Sequence, residues 1–379
     1  MNEVEINHYK RYLVFLGVAL MAIIINVDLT AVNLALASIG MQFHASLTTL
    51  QWVINIYILF GTALLVLCGR LGDIYGKKKI YLFGVGLFLL ASIICGFSVN
   101  STMLIVGRGI QGIAFGFTLT LGILIATSAF PKEKRGTVLG SYAMIAGFSQ
   151  ALGPSLGGVF LQYLSWRWLF FINIPLGIGC IILISLYYLQ TESTNYGESL
   201  DTTGAVLLSC GLILFTLAIN EISRWGIWSF GFLTCFFVSI IILGIFYLFE
   251  KNRTHPLIDF SLYKNRNYFF ISIIRFLNTY VAFTVIFILP LFLQNILELS
   301  PIKTGLMLLT MTAMYGALSP FVGKLLDRVA YKYPLVFSLI ISLIACILVA
   351  NLQFMMSWWF LLAAFILFGI SRAFIFLSP

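Results

Sequence analysis

The chain has 379 residues, of which 61% are hydrophobic and only 9% are charged, and its formal net charge is +9. Soluble domains are about 45–50% apolar and about 25% charged, so this composition excludes an ordinary water-soluble domain. A basic excess confined to loops on one side of a membrane is the usual result of membrane insertion, so the charge does not indicate a nucleic-acid partner. The sequence predicts an all-α polytopic membrane protein surrounded by membrane lipids.

The six cysteines all lie in apolar runs without a CxxC pair, and the three histidines lie in the tail or in loops. Such cysteines are typical of small core residues, and no histidine stands at the spacing of a metal ligand. No nucleophile, metal cluster or paired carboxylates are recognisable in the sequence. We therefore predict no metal, no cofactor and no enzymatic activity.

Twelve mostly apolar runs follow one another, each close to the roughly 20 residues that a helix needs to cross the hydrocarbon core. The first is too long for a signal peptide and contains Asp28, although Ala35-Leu36-Ala37 resembles a cleavage site. The approximate limits are 12–37, 50–68, 80–99, 103–130, 137–163, 169–190, 205–222, 229–249, 268–295, 303–323, 334–353 and 357–379.

The placement of lysine and arginine predicts the orientation, because cytoplasmic loops carry the basic excess. With the N-terminal tail in the cytoplasm, sixteen of the 22 basic residues fall on the cytoplasmic side, three in outer loops and three in spans. All seven tryptophans then lie at outer ends of spans, where indole rings favour the interface. The three arginines in spans are Arg108, Arg275 and Arg372. The last two lie near span ends and are predicted to snorkel to the interface unless they meet a partner.

Span 1 contains the acidic residue Asp28 in "NVDLTAVNLALASIG". An ionised carboxylate inside a span costs about 3 kcal/mol. Protonation and deprotonation as the site alternates between the two membrane faces is one interpretation. The other is a carboxylate held by a neighbouring hydroxyl or amide for packing alone.

The loop between spans 2 and 3 reads "GRLGDIYGKKKIYL", Gly69 to Leu82, and concentrates charge in a chain that has little. Its lysines, among them Lys77, hold the hairpin on the inner side. Gly69 and Gly76 permit a tight turn and a close approach of helices, and Asp73 is placed to face a helix N-terminus. A weaker copy, "GKLLDRVA", follows span 10 and contains Asp327 and Arg328. Repeated loops of this kind indicate internal duplication.

Span 4 carries Arg108 and Gln111 in "GRGIQGIAFG". The guanidinium stays charged and needs a carboxylate, a carbonyl or water. Gln111 follows at i+3 and so shares the same helix face. A role in proton transfer and a structural role between helix ends are both open.

Span 5 contains "GFSQALGPSLGG", from Gly147 to Gly158. Its glycines permit close helix crossing, and its proline breaks one backbone hydrogen bond, which gives a bend at which two halves can rock. Ordinary small-residue packing is the alternative. The predicted gating residues of this span are Gly147, Gly153, Pro154, Gly157 and Gly158.

These motifs together resemble the major facilitator superfamily. Its loop signature G-x-L-[AG]-D-[RK]-x-G-[RK]-[RK] is met from Gly69 to Lys78, except that Ile74 replaces the usual basic residue. The patterns D-x-T-x-V-N-x-A-L in span 1, R-x-x-Q-G in span 4 and G-x-x-x-x-x-G-P-x-x-G-G in span 5 are similar to the drug:proton antiporters with fourteen spans, the EmrB/QacA type. "WRWLFFINIPLG", Trp166 to Gly177, also resembles that family's entry to span 6.

The resemblance implies a proton-coupled multidrug efflux transporter that exports small amphipathic compounds across the bacterial cytoplasmic (inner) membrane. It implies a role in proton coupling or substrate binding for Asp28, Arg108 and Gln111. A periplasmic adaptor is a further partner that the sequence itself does not show. The alternatives are a truncated, transport-inactive relative, or a lipid, siderophore or uptake transporter of the same fold. The residues with an implied gating role are the loop residues Gly69, Asp73, Gly76, Lys77, Asp327 and Arg328 and the span 5 set above.

The spacing of the two loop motifs predicts the domain organisation. Asp73 and Asp327 lie 254 positions apart, which places the start of the second half near residue 266. We expect a six-helix N-terminal half (1–190), a linker with two extra spans and a cytoplasmic loop (191–267), and four spans of a C-terminal half (268–379). A fourteen-span relative has two more spans, so the C-terminal half is expected to be incomplete.

Overall fold

The computed structural model describes residues 8–189, 201–251, 253, 256–295, 298, 301–326, 329, 332–351 and 358–377. Across these residues the regular structure consists of α-helices and two 3-10 helices, Lys132–Lys134 and Phe260–Lys264. The α-helices are α1 (His8–Phe43), α2 (Leu47–Ala63), α3 (Leu65–Tyr75), α4 (Lys77–Gly96), α5 (Ser101–Ser128), α6 (Arg135–Tyr163), α7 (Trp168–Phe171), α8 (Asn173–Tyr187), α9 (Thr202–Trp225), α10 (Phe230–Glu250), α11 (Arg266–Asn295), α12 (Pro301–Leu326), α13 (Lys332–Ala350) and α14 (Trp358–Leu377).

Each predicted apolar run coincides with a helix or with two consecutive helices, which confirms the all-α prediction. Helices satisfy every backbone hydrogen bond internally, as hydrocarbon requires. Among the described residues, seven helices are long and apolar enough to cross a membrane, or eight if α2 and α3, bent by 48°, form one span. The chain is thus a multi-pass membrane protein.

Local sequence signals set several helix ends. Ser46 and Ser229 accept hydrogen bonds from the backbone N–H groups of Thr49 and Phe232, which caps the N-termini of α2 and α10. Gly76 ends α3 at φ 96°, a left-handed conformation that glycine adopts without a steric penalty. The tight turn predicted between spans 2 and 3 is therefore present.

The contacts divide the chain into two compact units. The first comprises Met1–Met21, Val32–Ile125 and Val159–Phe260, and the second comprises Ala22–Ala31, Ala126–Gly158 and Ser261–Pro379. Within the first unit α9 packs on α10 and α4 packs on α8, and within the second α14 packs on α12 and on α13. The predicted organisation into 1–190, 191–267 and 268–379 concerns internal duplication of the chain, and it stays a prediction.

Candidate functional site

The first cluster surrounds Arg108 of α5, in the first unit. Arg108 is 1% exposed, and its Nε donates to the carbonyl oxygen of Val53 at 3.1 Å. Its Nη1 donates to Oε1 of Gln111 at 2.8 Å, and its Cζ lies 4.1 Å from the ring centroid of Tyr57. A carbonyl, an amide and an aromatic face thus surround the buried guanidinium.

Gln111 extends this cluster to α4 and α8. Its Nε2 donates to Oγ of Ser92 at 2.8 Å, and Nδ2 of Asn173 donates to the same hydroxyl oxygen at 3.2 Å. All three side chains are buried. Ser92 and Asn173 were not predicted from the sequence. A single asparagine inside an apolar run is nevertheless a usable signal, because burying an amide is costly unless it is hydrogen-bonded.

Gly112 explains how α2 comes close enough to supply the Val53 carbonyl. A Cβ atom at Gly112 would stand 2.5 Å from the carbonyl oxygen of Tyr57 and 3.1 Å from its Cα. Real Cβ atoms do not approach backbone atoms so closely. The glycine of the R-x-x-Q-G pattern is therefore required by the backbone-to-backbone contact of α2 and α5.

The second cluster surrounds Asp28, in the part of α1 that belongs to the second unit. Asp28 is 1% exposed. Two residues before it, Asn26 donates through Nδ2 to the carbonyl oxygen of Ala22 at 2.7 Å and accepts through Oδ1 from Nε2 of Gln150 at 3.1 Å. Thr30 donates to the carbonyl oxygen of Asn26 at 3.0 Å. Asp28 thus lies in a polar stretch that α1 and α6 build together.

The glycines of α6 have different surroundings. A Cβ atom at Gly153 would collide with Oγ1 of Thr30, and one at Gly157 would lie 3.4 Å from Cα of Ala31. Gly158, by contrast, has no neighbour within 4 Å of such an atom. Gly153 and Gly157 therefore form the α1–α6 crossing beside Asp28. Gly147 is buried, and α6 continues through Pro154 without a break.

The charged stretch Gly69–Lys78 was predicted to be a loop, but it is helical except at Gly76, because α3 runs to Tyr75 and α4 starts at Lys77. Nζ of Lys77 lies 3.7 Å from Oδ1 of Asp73, an ion pair at i, i+4. A Cβ atom at Gly69 would lie 3.3 Å from Cγ2 of Thr120, so α3 packs closely on α5 there. In the copy of this loop, Asp327 and Arg328 lie outside the described residues.

Lys78 binds the end of α8. Its Nζ donates to the carbonyl oxygens of Ser185 at 2.8 Å and Tyr188 at 2.7 Å. These carbonyls belong to the last turn and the C-cap of α8, where a cation is favourable. Lys78 therefore joins the start of α4 to the end of α8, and it also contributes to the basic excess.

Arg275 and Arg372, both predicted to snorkel, differ in the structure. Arg275 is exposed. Cζ of Arg372 lies 5.2 Å from the ring centroid of Tyr315, which is itself buried together with Ala143, Val322 and Ala373. Arg372 therefore has a partner in Tyr315. Snorkelling was predicted only for an arginine without a partner, so it is not expected for Arg372.

The candidate functional residues form two clusters, one in each unit. Arg108 and Gln111 belong to the first unit, whereas Asp28, Gly153 and Gly157 belong to the second. Both clusters place polar or charged groups in helices of a membrane protein, where such groups are rare and usually functional. This pattern is typical of membrane transporters.

The comparison with known families agrees. The sequence profile of the Major Facilitator Superfamily matches residues 16–255 and 269–378, and the chain belongs to this family. The family is one of transporters, and its profile covers both clusters.

Three curated relatives show the range of names among similar proteins. The chain is 31% identical to the methylenomycin A resistance protein of Bacillus subtilis over 347 residues, 90% of this chain and 72% of the relative. It is 29% identical to the drug efflux pump JefA of Mycobacterium tuberculosis over 327 residues, 86% of this chain and 64% of JefA. It is 27% identical to the riboflavin transporter RibZ of Clostridioides difficile over 364 residues, 95% of this chain and 78% of RibZ. The chain thus spans less than two thirds of the length of JefA.

Two solved structures share the fold. The human organic anion transporter MFSD10 superposes with a TM-score of 0.65 at 14% identity, covering 97% of this chain and 83% of MFSD10. The proton:xylose symporter XylE superposes with a TM-score of 0.64 at 14% identity, covering 98% of this chain and 81% of XylE. These similarities establish the major facilitator fold.

Proposed function

We propose that this chain carries the transport machinery of a proton-driven exporter of small amphipathic compounds, of the fourteen-span EmrB/QacA type. We place it in the bacterial cytoplasmic membrane with its N-terminus in the cytoplasm, as the basic loops predict. The observation that carries the proposal is the buried carboxyl group of Asp28 at the α1–α6 crossing.

Asp28 suits proton coupling because the charge state of a carboxyl group changes its cost inside a membrane. An ionised carboxylate at the centre of a span costs about 3 kcal/mol. Loss of the proton therefore favours a conformation that gives the group water, and protonation favours its return to the apolar interior. A permanently charged guanidinium such as Arg108 cannot alternate in this way, and we assign it to orienting its neighbours.

The glycine contacts suit the conformational part of the cycle. Gly153 and Gly157 bring α6 against α1 next to Asp28, with Gln150 bound to Asn26 one turn away. A change in the α1–α6 crossing therefore changes the surroundings of the carboxyl group directly. We infer that protonation and helix movement are coupled at this crossing.

The names of two relatives support export of toxic compounds, and the name of a third supports riboflavin as a competing substrate. The methylenomycin A resistance protein and JefA favour efflux of toxic compounds. RibZ favours a riboflavin-like substrate, moved in either direction. Two further functions compete with export: a lipid, siderophore or uptake transporter of the same fold, and a relative without transport activity.

Transport by the chain reconstituted in liposomes tests the proposal. A lipophilic dye and riboflavin are offered separately, and substrate movement and proton release are recorded together. We expect dye movement coupled to counterflow of protons, and we expect Asp28→Asn to remove substrate-driven proton release while the protein is still inserted. The matched control is Glu221→Gln, which neutralises a buried acid of α9 that is paired with Arg224 at 3.5 Å.

Three results would contradict the proposal. Unchanged proton release in Asp28→Asn removes Asp28 from the coupling mechanism. Riboflavin transport without dye transport favours the competing substrate class. A wild-type chain that inserts but moves neither compound favours the transport-inactive relative.

A further inference from the structure

Two acidic side chains meet where α9 begins and α10 ends, away from both clusters of the candidate site. Asp201 caps the N-terminus of α9, and its Oδ1 accepts a hydrogen bond from the backbone N–H of Gly204 at 2.9 Å. Glu250 is the last residue of α10, and its Oε2 accepts a hydrogen bond from the backbone N–H of Leu257 at 2.7 Å. Each carboxyl group therefore uses one oxygen to bind the backbone. The remaining oxygens are Oδ2 of Asp201 and Oε1 of Glu250.

Both remaining oxygens lie beside Gly204. A Cβ atom at Gly204 would collide with Oε1 of Glu250 and would stand 3.0 Å from Oδ2 of Asp201. Both oxygens are buried, and within the described part of the chain neither accepts a hydrogen bond. Glu250 as a whole is 1% exposed. Glycine at position 204 thus leaves room for two carboxyl groups to approach over the same backbone atom.

The surrounding charge does not neutralise both groups. Nε of Arg253 lies 3.7 Å from Oδ2 of Asp201, but the side chain of Arg253 is 49% exposed and lies over the ring of Phe249. Lys251, next to Glu250, is exposed to solvent. Helix α2, which packs on α9, has no charged side chain. Among the described residues, the cation that pairs with these two carboxyl groups is therefore Arg253, which is half exposed.

Two ionised carboxylates that both lie beside Gly204 repel each other, and burial makes this repulsion stronger than in water. A single proton between facing oxygens converts the repulsion into a short, charge-assisted O–H···O hydrogen bond. A bound metal cation is a poorer fit. Calcium requires six to eight oxygen ligands. This site offers two oxygens without a hydrogen-bond partner, and one of them is already paired with the guanidinium of Arg253.

We propose that Asp201 and Glu250 bind one proton between them and form a protonation site that fastens the end of α10 to the beginning of α9. The proton comes from solvent water and returns to it, so no other reactant is required. Through the Leu257 N–H the same pair holds the turn that follows α10. Loss of the proton breaks this contact between α9 and α10 without any change at Asp28.

Infrared spectroscopy of the purified chain in lipid discs tests the proton directly. In the Asp28→Asn background, which removes the buried acid of the candidate site, we expect an absorption band of a protonated carboxyl group at about pH 7, where free carboxyl groups are ionised. Glu250→Gln and Asp201→Asn should each abolish this band. The matched control is Glu221→Gln, which should leave it unchanged.

Thermal unfolding gives a second readout. Because the folded pair holds a proton that the unfolded carboxyl groups release, wild-type stability should fall as the pH rises and the folded pair is deprotonated. Glu250→Gln replaces the O–H donor by an N–H donor that does not titrate, so its melting temperature should depend less on pH. His255→Asn, which removes a titratable side chain five residues beyond Glu250, should keep the wild-type dependence.

Two results would overturn the proposal. One is a carboxyl band that is absent in the Asp28→Asn background or that persists in both Glu250→Gln and Asp201→Asn. The other is a pH dependence that disappears in His255→Asn and persists in Glu250→Gln. Neither readout requires transport, so this proposal fails or succeeds separately from the proposed function.

Discussion

At the residue scale, the molecule treats its buried cation and its buried acid differently. Arg108 has its Nε and Nη1 donors bound within its own unit and an aromatic ring against its face. These contacts stabilise a charge that never changes. Asp28 instead lies among amide and hydroxyl groups, including Asn26 and Thr30, beside a glycine crossing. In the proposed function, this is the group whose charge changes.

The contact at Gly112 gives a prediction for the Arg108 cluster. Gly112→Ala places a methyl group against the backbone of Tyr57, so α2 must move away from α5 and the Val53 carbonyl moves with it. Overpacking of this kind costs about 1–3 kcal/mol, and we expect a lower melting temperature in detergent. The control is Gly109→Ala in the same helix, where the nearest atom would be 3.6 Å away and the change should be neutral or stabilising. Equal melting temperatures for the two variants would show that α2 and α5 do not meet as described.

At the element scale, hydropathy predicts where helices lie and says little about how they bend. Every predicted apolar run holds a helix, because apolar length and the demand for internal hydrogen bonding act locally. The 48° bend between α2 and α3 was not predicted, since Leu64 at the break is neither proline nor glycine. Such a bend depends on packing against neighbouring helices, which a single run of sequence does not encode.

The candidate site shows the same division between local and long-range information. Asp28, Arg108 and Gln111 were predictable because a polar group inside an apolar run is conspicuous. Their partners Ser92 and Asn173 were not predicted, and neither was the meeting of Asp201 with Glu250. Each of these pairings joins residues that are far apart in the chain, and only the packing of helices shows that they are neighbours.

Two glycines of the span 5 motif give a prediction for α6. Gly153→Ala introduces a methyl group that collides with Thr30 of α1, whereas Gly158→Ala meets open space. We expect Gly153→Ala to destabilise the α1–α6 crossing by about 1–3 kcal/mol and to lower the melting temperature. Gly158→Ala should be neutral or slightly stabilising, because alanine favours helix more than glycine does. A large loss in Gly158→Ala would mean that this glycine serves a conformational role beyond packing.

At the scale of the whole molecule, the compact units do not follow the order of the chain. Residues 22–31 of α1 belong with α6 and the helices after residue 261, while the remainder of α1 belongs with α2 to α5. A sequence-based division into successive blocks describes descent by duplication. The contacts describe which helices stabilise one another, and the two descriptions need not coincide.

The orientation of the whole chain in the membrane is predicted by its charge distribution. The excess of basic residues in alternate loops places Lys79 in the cytoplasm and Trp228 outside. Both side chains are exposed, Trp228 at 87%, so a cysteine at either position is open to reagents. In a variant whose six native cysteines are replaced by serine or alanine, Trp228→Cys should react with a membrane-impermeant thiol reagent added to intact cells. Lys79→Cys should react only after permeabilisation, and the cysteine-free chain is the control for background labelling. Labelling of Lys79→Cys from outside, with Trp228→Cys protected, would reverse the orientation and move the Lys78 contact with α8 to the outer face.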